Sequence, residues 1–244
     1  MSARLIREDG PVKIWELLGS GDASRVDAMC QLYARLFPQY AHYVPRMKRR
    51  AQFGQDARDG HVLHYWLVEV DGQPAALRTF RYVRARHCGL AHALAVDPVY
   101  REVTVHGQRL SIHLVHACLD QVIANAKMLG DEPAFGMVNE VESWRLMERY
   151  MRNGIIHLPV DYVEPVFPAE QAGRTREQEI ELIHFSPMYL GFLPNPELGS
   201  QIYSASMIAD FALAFLVDHY GLPLEHPRVQ AVLQSIPAEE KNYD

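Results

Sequence analysis

The residues from Leu90 to Ile155 hold the groups whose types and spacing suggest chemistry. A strand candidate ends in Val96-Asp97-Pro98, and a loop containing Arg101 leads from it into a long helix. That order suits an anion. Loop and helix-terminal N–H groups converge on one spot, and the helix dipole favours negative charge there. His106, His113 and His116 lie close together, and the last two have an i, i+3 spacing that metals use on helices. No HExxH motif or cysteine partner accompanies them, so the cluster is read as chance among 12 histidines and no metal is expected. Cys118 falls on an apolar helix stripe. Cys88 sits beside His87 on a strand, which sends the two side chains to opposite faces. Neither cysteine is set up as a nucleophile. Arg46, Lys48, Arg49 and Arg50 form a basic run, by default a solvated helix end, with contact to an acyl donor, an acidic substrate or a carrier protein as the sharper readings.

The elements that position these groups follow from hydrophobic spacing. Lys13–Leu18 reads as a short strand before the turn Gly19-Ser20-Gly21-Asp22. Ser24 or Asp22 is placed to cap the next helix. Val26, Met29, Cys30, Leu32, Tyr33 and Leu36 recur at helical spacing, which predicts an amphipathic helix over Ala23–Phe37. Pro38 and Pro45 break it, leaving Pro45–Gln52 as a short basic helix or loop. His64–Val70 is a strand by its β-branched and aromatic content, Asp71-Gly72 is a tight-turn pair, and Pro74–Val83 returns. Cys88–Val96 completes a three-stranded meander. Leu110–Leu129 carries Leu110, Leu114, Val115, Cys118, Val122 and Ala126 on one helical face, and Gly130 ends it. Ala134–Val138 reads as a buried strand. Glu142–Asn153 reads as a helix with Trp144, Met147 and Met151 on one face and Gly154 at its C′ position. Tyr162–Phe167 and Glu179–Phe185 read as strands joined by the polar insert Ala169–Gln178, and Pro187–Pro196 as an irregular connection. Ile202–His219 is a strongly apolar helix that must bury a face on the sheet, over a cleft or against a second copy. Leu222–Asp244 looks like a proline-punctuated tail.

Strand, Val-Asp-Pro loop, long helix, strand, and a helix with Tyr150 four residues before Gly154 resemble the core of the GNAT acyltransferase superfamily. The resemblance covers roughly Lys13 to Phe185. It implies an α/β (α+β) fold with a mixed, mostly antiparallel sheet flanked by helices. The sheet is splayed between its fourth and fifth strands, here Leu90–Val96 and Ala134–Val138. A GNAT-like domain would span 1–186, with a C-terminal helical extension over 187–244 packed on it. The family's acyl-CoA signature, Val-x-Pro-x-x-Arg/Gln-x-x-Gly-x-Gly/Ala, is met by Val96, Pro98 and Arg101. Thr104 and His106 stand at its glycine positions, and Gly107 follows one residue late. Side chains there hinder close approach of the backbone to a pyrophosphate. Either the loop is reshaped, with Val96, Arg101, Val105, His106, Gly107, Gln108 and Arg109 holding the donor, or the donor is not CoA. The resemblance implies that Tyr150 protonates the departing thiolate. His92 stands four residues before Val96, where many members carry a glutamate base, and a histidine can do that work at neutral pH. Glu140 and Glu142 are alternative bases.

The activity so implied is transfer of an acyl group, such as acetyl, from acyl-CoA to the amine of a small molecule by direct attack. Acetyl-CoA or another acyl-CoA is the co-substrate. Two rivals stand beside it: transfer from an acyl carrier protein to an amino-acid-like acceptor, and an inactive GNAT-like module that binds a ligand or partner. Length and composition agree with a globular protein, at 48% hydrophobic and 22% charged residues in 244. A net charge of −6 argues against nucleic acid as a partner. Three cysteines without pairing, no apolar leader and no apolar run long enough for a bilayer predict a soluble cytoplasmic protein without membrane contact. A homodimer through the apolar C-terminal helix is an open expectation.

Overall fold

Asp71 and Gly72 both have positive φ (50° and 75°), the combination that a two-residue hairpin with right-handed twist requires. They join β3 (His61–Val70) to β4 (Gln73–Val83), and β5 (Cys88–Val96) follows, as the sequence predicts. The structure, a computed structural model, describes residues 2–54, 60–168, 174–199 and 203–238. It divides into two compact units: Met1–Tyr82 with Ala91–Gln121, and Val83–Leu90 with Val122–Asp244. The architecture is α/β, with mostly antiparallel sheet flanked by helices.

The first unit holds the strand order β1-β2-β3-β4-β5. β1 (Arg4–Asp9) is an addition to the sequence reading. It pairs antiparallel with β2 (Val12–Glu16), which pairs antiparallel with β3. Asp22 caps α1 (Ala23–Leu36), its Oδ1 accepting from Arg25 N at 3.1 Å. Pro45 begins a helix instead of breaking one. It lies in the first turn of α2 (Val44–Phe53), where a missing N–H costs nothing. Val26, Met29, Leu32 and Tyr33 of α1, with Met47 and Ala51 of α2, pack on Leu63, Tyr65, Leu67, Leu77 and Ala95 of the sheet. α3 (Leu110–Leu129) has the predicted bounds, and its stripe of Leu110, Leu114, Val115 and Cys118 is buried.

One buried carboxylate ties this unit together. Glu16, at the end of β2, accepts from Leu18 N (3.0 Å), Tyr65 N (2.9 Å) and Trp66 Nε1 (3.2 Å), and lies 2.6 Å from His64 Nδ1. His64 stacks on Phe80 with ring centroids 4.6 Å apart. Glu16 and His64 line an open pocket of about 350 Å³ with Arg4, Ser20 and Leu63. The bonds to Glu16 explain the dyad as structure: a carboxyl removed from water is held because donors surround it.

In the second unit β8 (Gly136–Val141) pairs antiparallel with β12 (Tyr189–Pro194), which pairs with β9 (Ile156–His157). Most of Pro187–Pro196, from Tyr189 to Pro194, is therefore a sheet strand and not an irregular connection. Its prolines flank the run or close it, leaving Leu190–Leu193 buried in the sheet. The strand expected over Glu179–Phe185 is also corrected. Thr175 and Gln178 form a reciprocal capping box that starts α5 (Arg176–Glu181), and only then does β11 (His184–Pro187) pair with β10 (Val163–Val166). The insert expected over Ala169–Gln178 lies partly outside the described residues.

α4 (Trp144–Met151) buries Met147, while Trp144 and Met151 are more than 40% exposed, so the three do not share a buried face. α6 (Ala205–Leu213) runs on into a π-helical stretch, Ala214–His219. Ile208, Phe211, Ala212, Phe215 and Leu216 pack with Val138, Leu158, Leu190 and Phe192. The apolar face considered for a dimer contact is covered within its own unit. The predicted tail contains α7 (Pro227–Gln234), which buries Val229 and Val232 in the same core. Ile202 and residues 239–244 lie outside the described residues. Among the described residues no helix is long and apolar enough to cross a membrane.

Glu16→Ala strands His64, Trp66 and two main-chain donors. Urea unfolding of this variant is expected to show a loss of about 3–5 kcal/mol, the usual result of deleting one partner of a buried ionic cluster. A loss under about 1 kcal/mol would mean that solvent replaces the carboxylate.

Candidate active site

The loop expected to cradle phosphates is a second tight hairpin. β6 (Thr104–Val105) and β7 (Gln108–Arg109) pair Thr104 with Arg109 and Val105 with Gln108. His106 and Gly107 take φ of 50° and 78°, nearly the values of Asp71-Gly72. The signal was an X-Gly pair between residues that tolerate strand geometry. The main chains of Val105 and Gln108 therefore face each other and not a ligand. The ribbon is anchored at the side: His106 Nε2 lies 3.0 Å from Asp9 Oδ1, and Arg109 donates to Glu102 Oε1 at 2.8 Å. His113 Nε2 lies 3.2 Å from the other oxygen of Asp9. Leu110 N donates to Val103 O at 2.9 Å, so the first N–H of α3 is occupied. Val96 closes β5, and Arg101 is exposed after a 3₁₀ turn held by Asp97 Oδ1, which accepts from Val99 N at 3.1 Å. The Arg35 guanidinium on Asp97 holds that carboxyl below its ordinary range. The segment expected to form a reshaped cradle, Val105–Arg109, is thus built as a hairpin.

His92 belongs to the same unit. Arg81 Nε donates to His92 Nε2 at 3.0 Å, so this nitrogen is an acceptor already in use. A neutral ring then carries its proton on Nδ1. Burial, followed by the charges of Arg81, Arg78, Arg50 and Arg46, pushes its pKa well below the ordinary histidine value. A ring that resists protonation this strongly is a poor base. His92, the expected base, accepts here from a guanidinium in a cationic surrounding.

Tyr150 belongs to the second unit, in the last turn of α4. Gly154 N donates to Met151 O at 3.2 Å and Ile155 N to Tyr150 O at 3.2 Å. With Gly154 at φ 87°, these two bonds form a Schellman cap. The Tyr-x-x-x-Gly-Ile spacing is thus a helix stop, and it fixes the tyrosine's backbone whatever its hydroxyl does. Tyr150 is half-buried. Trp144, His157 and Tyr189 gather beside α4 with centroids 5.3–5.8 Å apart.

The same unit contains a carboxyl whose pKa is strongly raised. Glu140 Oε1 accepts from Tyr162 Oη at 2.6 Å, and Oε2 accepts from Tyr220 Oη at 2.8 Å. Tyr220 Oη also lies 3.4 Å from Glu164 Oε1. Burial first, and the Glu164 charge second, raise Glu140 to about 8 against the two tyrosine bonds, which lower it. Sequence reading named Glu140 only as an alternative base, because Tyr220 and Glu164 come from distant segments. Glu142 is exposed. Cys30, Cys88 and Cys118 are buried free thiols whose pKa burial raises, Cys30 and Cys118 to about 11, so they are poor nucleophiles. Among the described residues no group of three or more His, Cys, Asp or Glu is placed to hold a metal ion.

Glu140 makes stability fall as pH rises. Its folded pKa of about 8 exceeds its ordinary value of 4.5, so the folded state holds the proton that the unfolded chain releases between those values. Its stabilisation is whole below about 4.5 and is lost as pH rises through about 8. Thermal unfolding of Glu140→Gln should lack this part of the slope; a slope identical to that of the parent would assign it to other groups.

No family model matches the chain, and no curated protein matches it. Solved structures do. A GNAT-family protein from Bacteroides thetaiotaomicron is 16% identical, with 82% of this chain and 94% of that one covered at a TM-score of 0.45. The Salmonella typhimurium acetyltransferase that modifies the N-terminal serine of ribosomal protein L7/L12 is 11% identical, covering 79% and 98% at 0.46. An acetyltransferase from Streptococcus agalactiae is 10% identical, covering 76% and 99% at 0.45. The chain is similar, at this distance, to acetyltransferases of the GNAT family.

Proposed function

We propose that the chain is a GNAT-type N-acyltransferase. The acceptor amine attacks the thioester carbonyl; the C–N bond forms, the C–S bond breaks, and the amine proton leaves. Tyr150 gives its phenolic proton to the departing thiolate. Glu140, with its proton affinity near neutral pH, takes the amine proton directly or through water in its ionised form. The observation that carries this reading is the Schellman cap, which fixes a half-buried Tyr150 at the end of α4 in the order of elements expected of the family. Acyl-CoA is the first donor reading, and a small amine the acceptor.

The Val105–Gln108 hairpin favours a second donor. A thioester delivered on an acyl carrier protein brings no adenosine pyrophosphate, so it needs no glycine loop. An inactive module is the remaining alternative, and turnover removes it.

Release of free thiol from acetyl-CoA, a long-chain acyl-CoA and an acylated carrier protein, each with an amine panel, tests the proposal. Thiol release that requires an amine supports acyl transfer, and the donor that supports it decides between the readings. No release from any donor overturns the enzyme reading. Tyr150→Phe is expected to lower kcat roughly 100-fold while the melting temperature stays within error. Unchanged turnover would make Tyr150 structural.

A further inference from the structure

The two tyrosines on Glu140 differ in what lies beyond them. Tyr162 donates to Oε1 at 2.6 Å from a ring that is 2% exposed. Tyr220 donates to Oε2 at 2.8 Å, and the same hydroxyl lies 3.4 Å from Glu164 Oε1. One phenol thus stands between two carboxyl groups. Glu164, on β10, is partly exposed. The place of Tyr220 is built from several sides. It follows directly on the π-helical stretch Ala214–His219, a rare kind of turn that recurs at functional sites. Its N–H donates to Phe215 O at 2.8 Å. Its ring stacks with those of Phe215 and Phe167, at centroid distances of 6.4 and 6.3 Å, and the His219 ring lies 4.5 Å away. Arg176 donates to the Tyr220 carbonyl and to Glu179 Oε2, and its Cζ covers the Phe167 ring at 4.3 Å. The hydroxyl is therefore positioned by packing that its own hydrogen bonds do not supply.

A base that takes a proton in each turnover must lose it before the next. Glu140 is partly exposed, but an acceptor amine lying against it occupies that access. A phenolic hydroxyl is donor and acceptor at once, so it can take a proton on one side while giving up its own on the other. We infer that Tyr220 passes the proton from Glu140 to Glu164, which releases it to solvent. Protonation of Glu140 removes the charge that holds the hydroxyl at Oε2 and lets it turn towards Glu164. The Glu140 O–H bond then breaks as a bond to Tyr220 Oη forms, and the Tyr220 O–H bond breaks as one to Glu164 Oε1 forms. Glu140 is left ionised, Tyr220 is left neutral, and Glu164 carries the proton until water takes it. Tyr162, on the other oxygen, positions the carboxyl. This inference rests on Glu140 as the base of the acyl-transfer reading.

The test is amine-dependent thiol release by the whole chain across pH, in Tyr220→Phe and Glu164→Gln, with and without imidazole as a soluble proton carrier. Each variant is expected to lower kcat roughly 10- to 100-fold with KM for donor and amine unchanged, and imidazole should restore part of the loss. Tyr162→Phe should not respond to imidazole. The sign at Glu164 separates the roles. Removing its charge lowers the Glu140 pKa, so more of the base is ionised near neutral pH. A purely electrostatic Glu164 therefore makes Glu164→Gln faster there, and the relay makes it slower. Carbon-13 NMR of the Glu140 carboxyl reads the contact without turnover: its midpoint should fall in Glu164→Gln and rise in Tyr220→Phe. Midpoints like that of the parent remove the path. A faster Glu164→Gln overturns the relay while Glu140 keeps its role as base, and so does an equal loss in Tyr162→Phe and Tyr220→Phe that imidazole leaves untouched. Unchanged turnover in Glu140→Gln overturns the base, and the relay with it. No thiol release from any donor overturns the acyl-transfer reading on which both rest.

Discussion

Ionisable groups buried within a sheet are the constraint on which this structure turns. A charge taken out of water must find donors, share a proton or be neutralised. Three groups here take those three routes. Glu16 is surrounded by His64, Trp66 and two main-chain N–H groups, and becomes a structural tie between β2 and β3. Glu140 has two tyrosine donors but also a second carboxylate nearby, and rises towards neutral pH. His92 lies among guanidiniums and is held neutral. The surroundings separate these groups better than residue type does, since two glutamates take different routes.

The same logic reassigns the motifs. Val-Asp-Pro is a turn in which Asp97 accepts from Val99 and pairs with Arg35. Tyr-x-x-x-Gly-Ile is a helix stop built from two main-chain bonds. The stretch where a phosphate loop was expected is a hairpin anchored through His106 to Asp9. Each motif has a local physical cause that would hold without catalysis.

Much of the fold was legible because it is written at short range. The helices over Ala23–Leu36 and Leu110–Leu129 declare themselves by apolar spacing, and Asp71-Gly72 declares a hairpin by its need for positive φ. Misreadings came where two signals competed. At Glu179–Phe185 apolar residues suggested a strand, but the Thr175–Gln178 capping box starts a helix first. At Tyr189–Pro194 the flanking prolines masked a strand whose pairing with β8 and β9 is long-range. β1 lacks a clean alternation and is a strand because β2 offers it an edge.

The sequence by itself determined the main helices and the hairpin turn, the burial of Cys118, and the positions of Tyr150 and the basic run, because turns, caps and amphipathic spacing act over a few residues. Tertiary structure decided what those groups can do. Tyr162, Glu164 and Tyr220 meet Glu140 across up to 80 positions of chain, and only that meeting raises its proton affinity. Arg81 comes from β4 and His92 from β5, and only their pairing turns a proposed base into an acceptor from a guanidinium. Proton affinity depends on surroundings within a few ångströms, and in a folded chain those surroundings come from segments far apart in sequence.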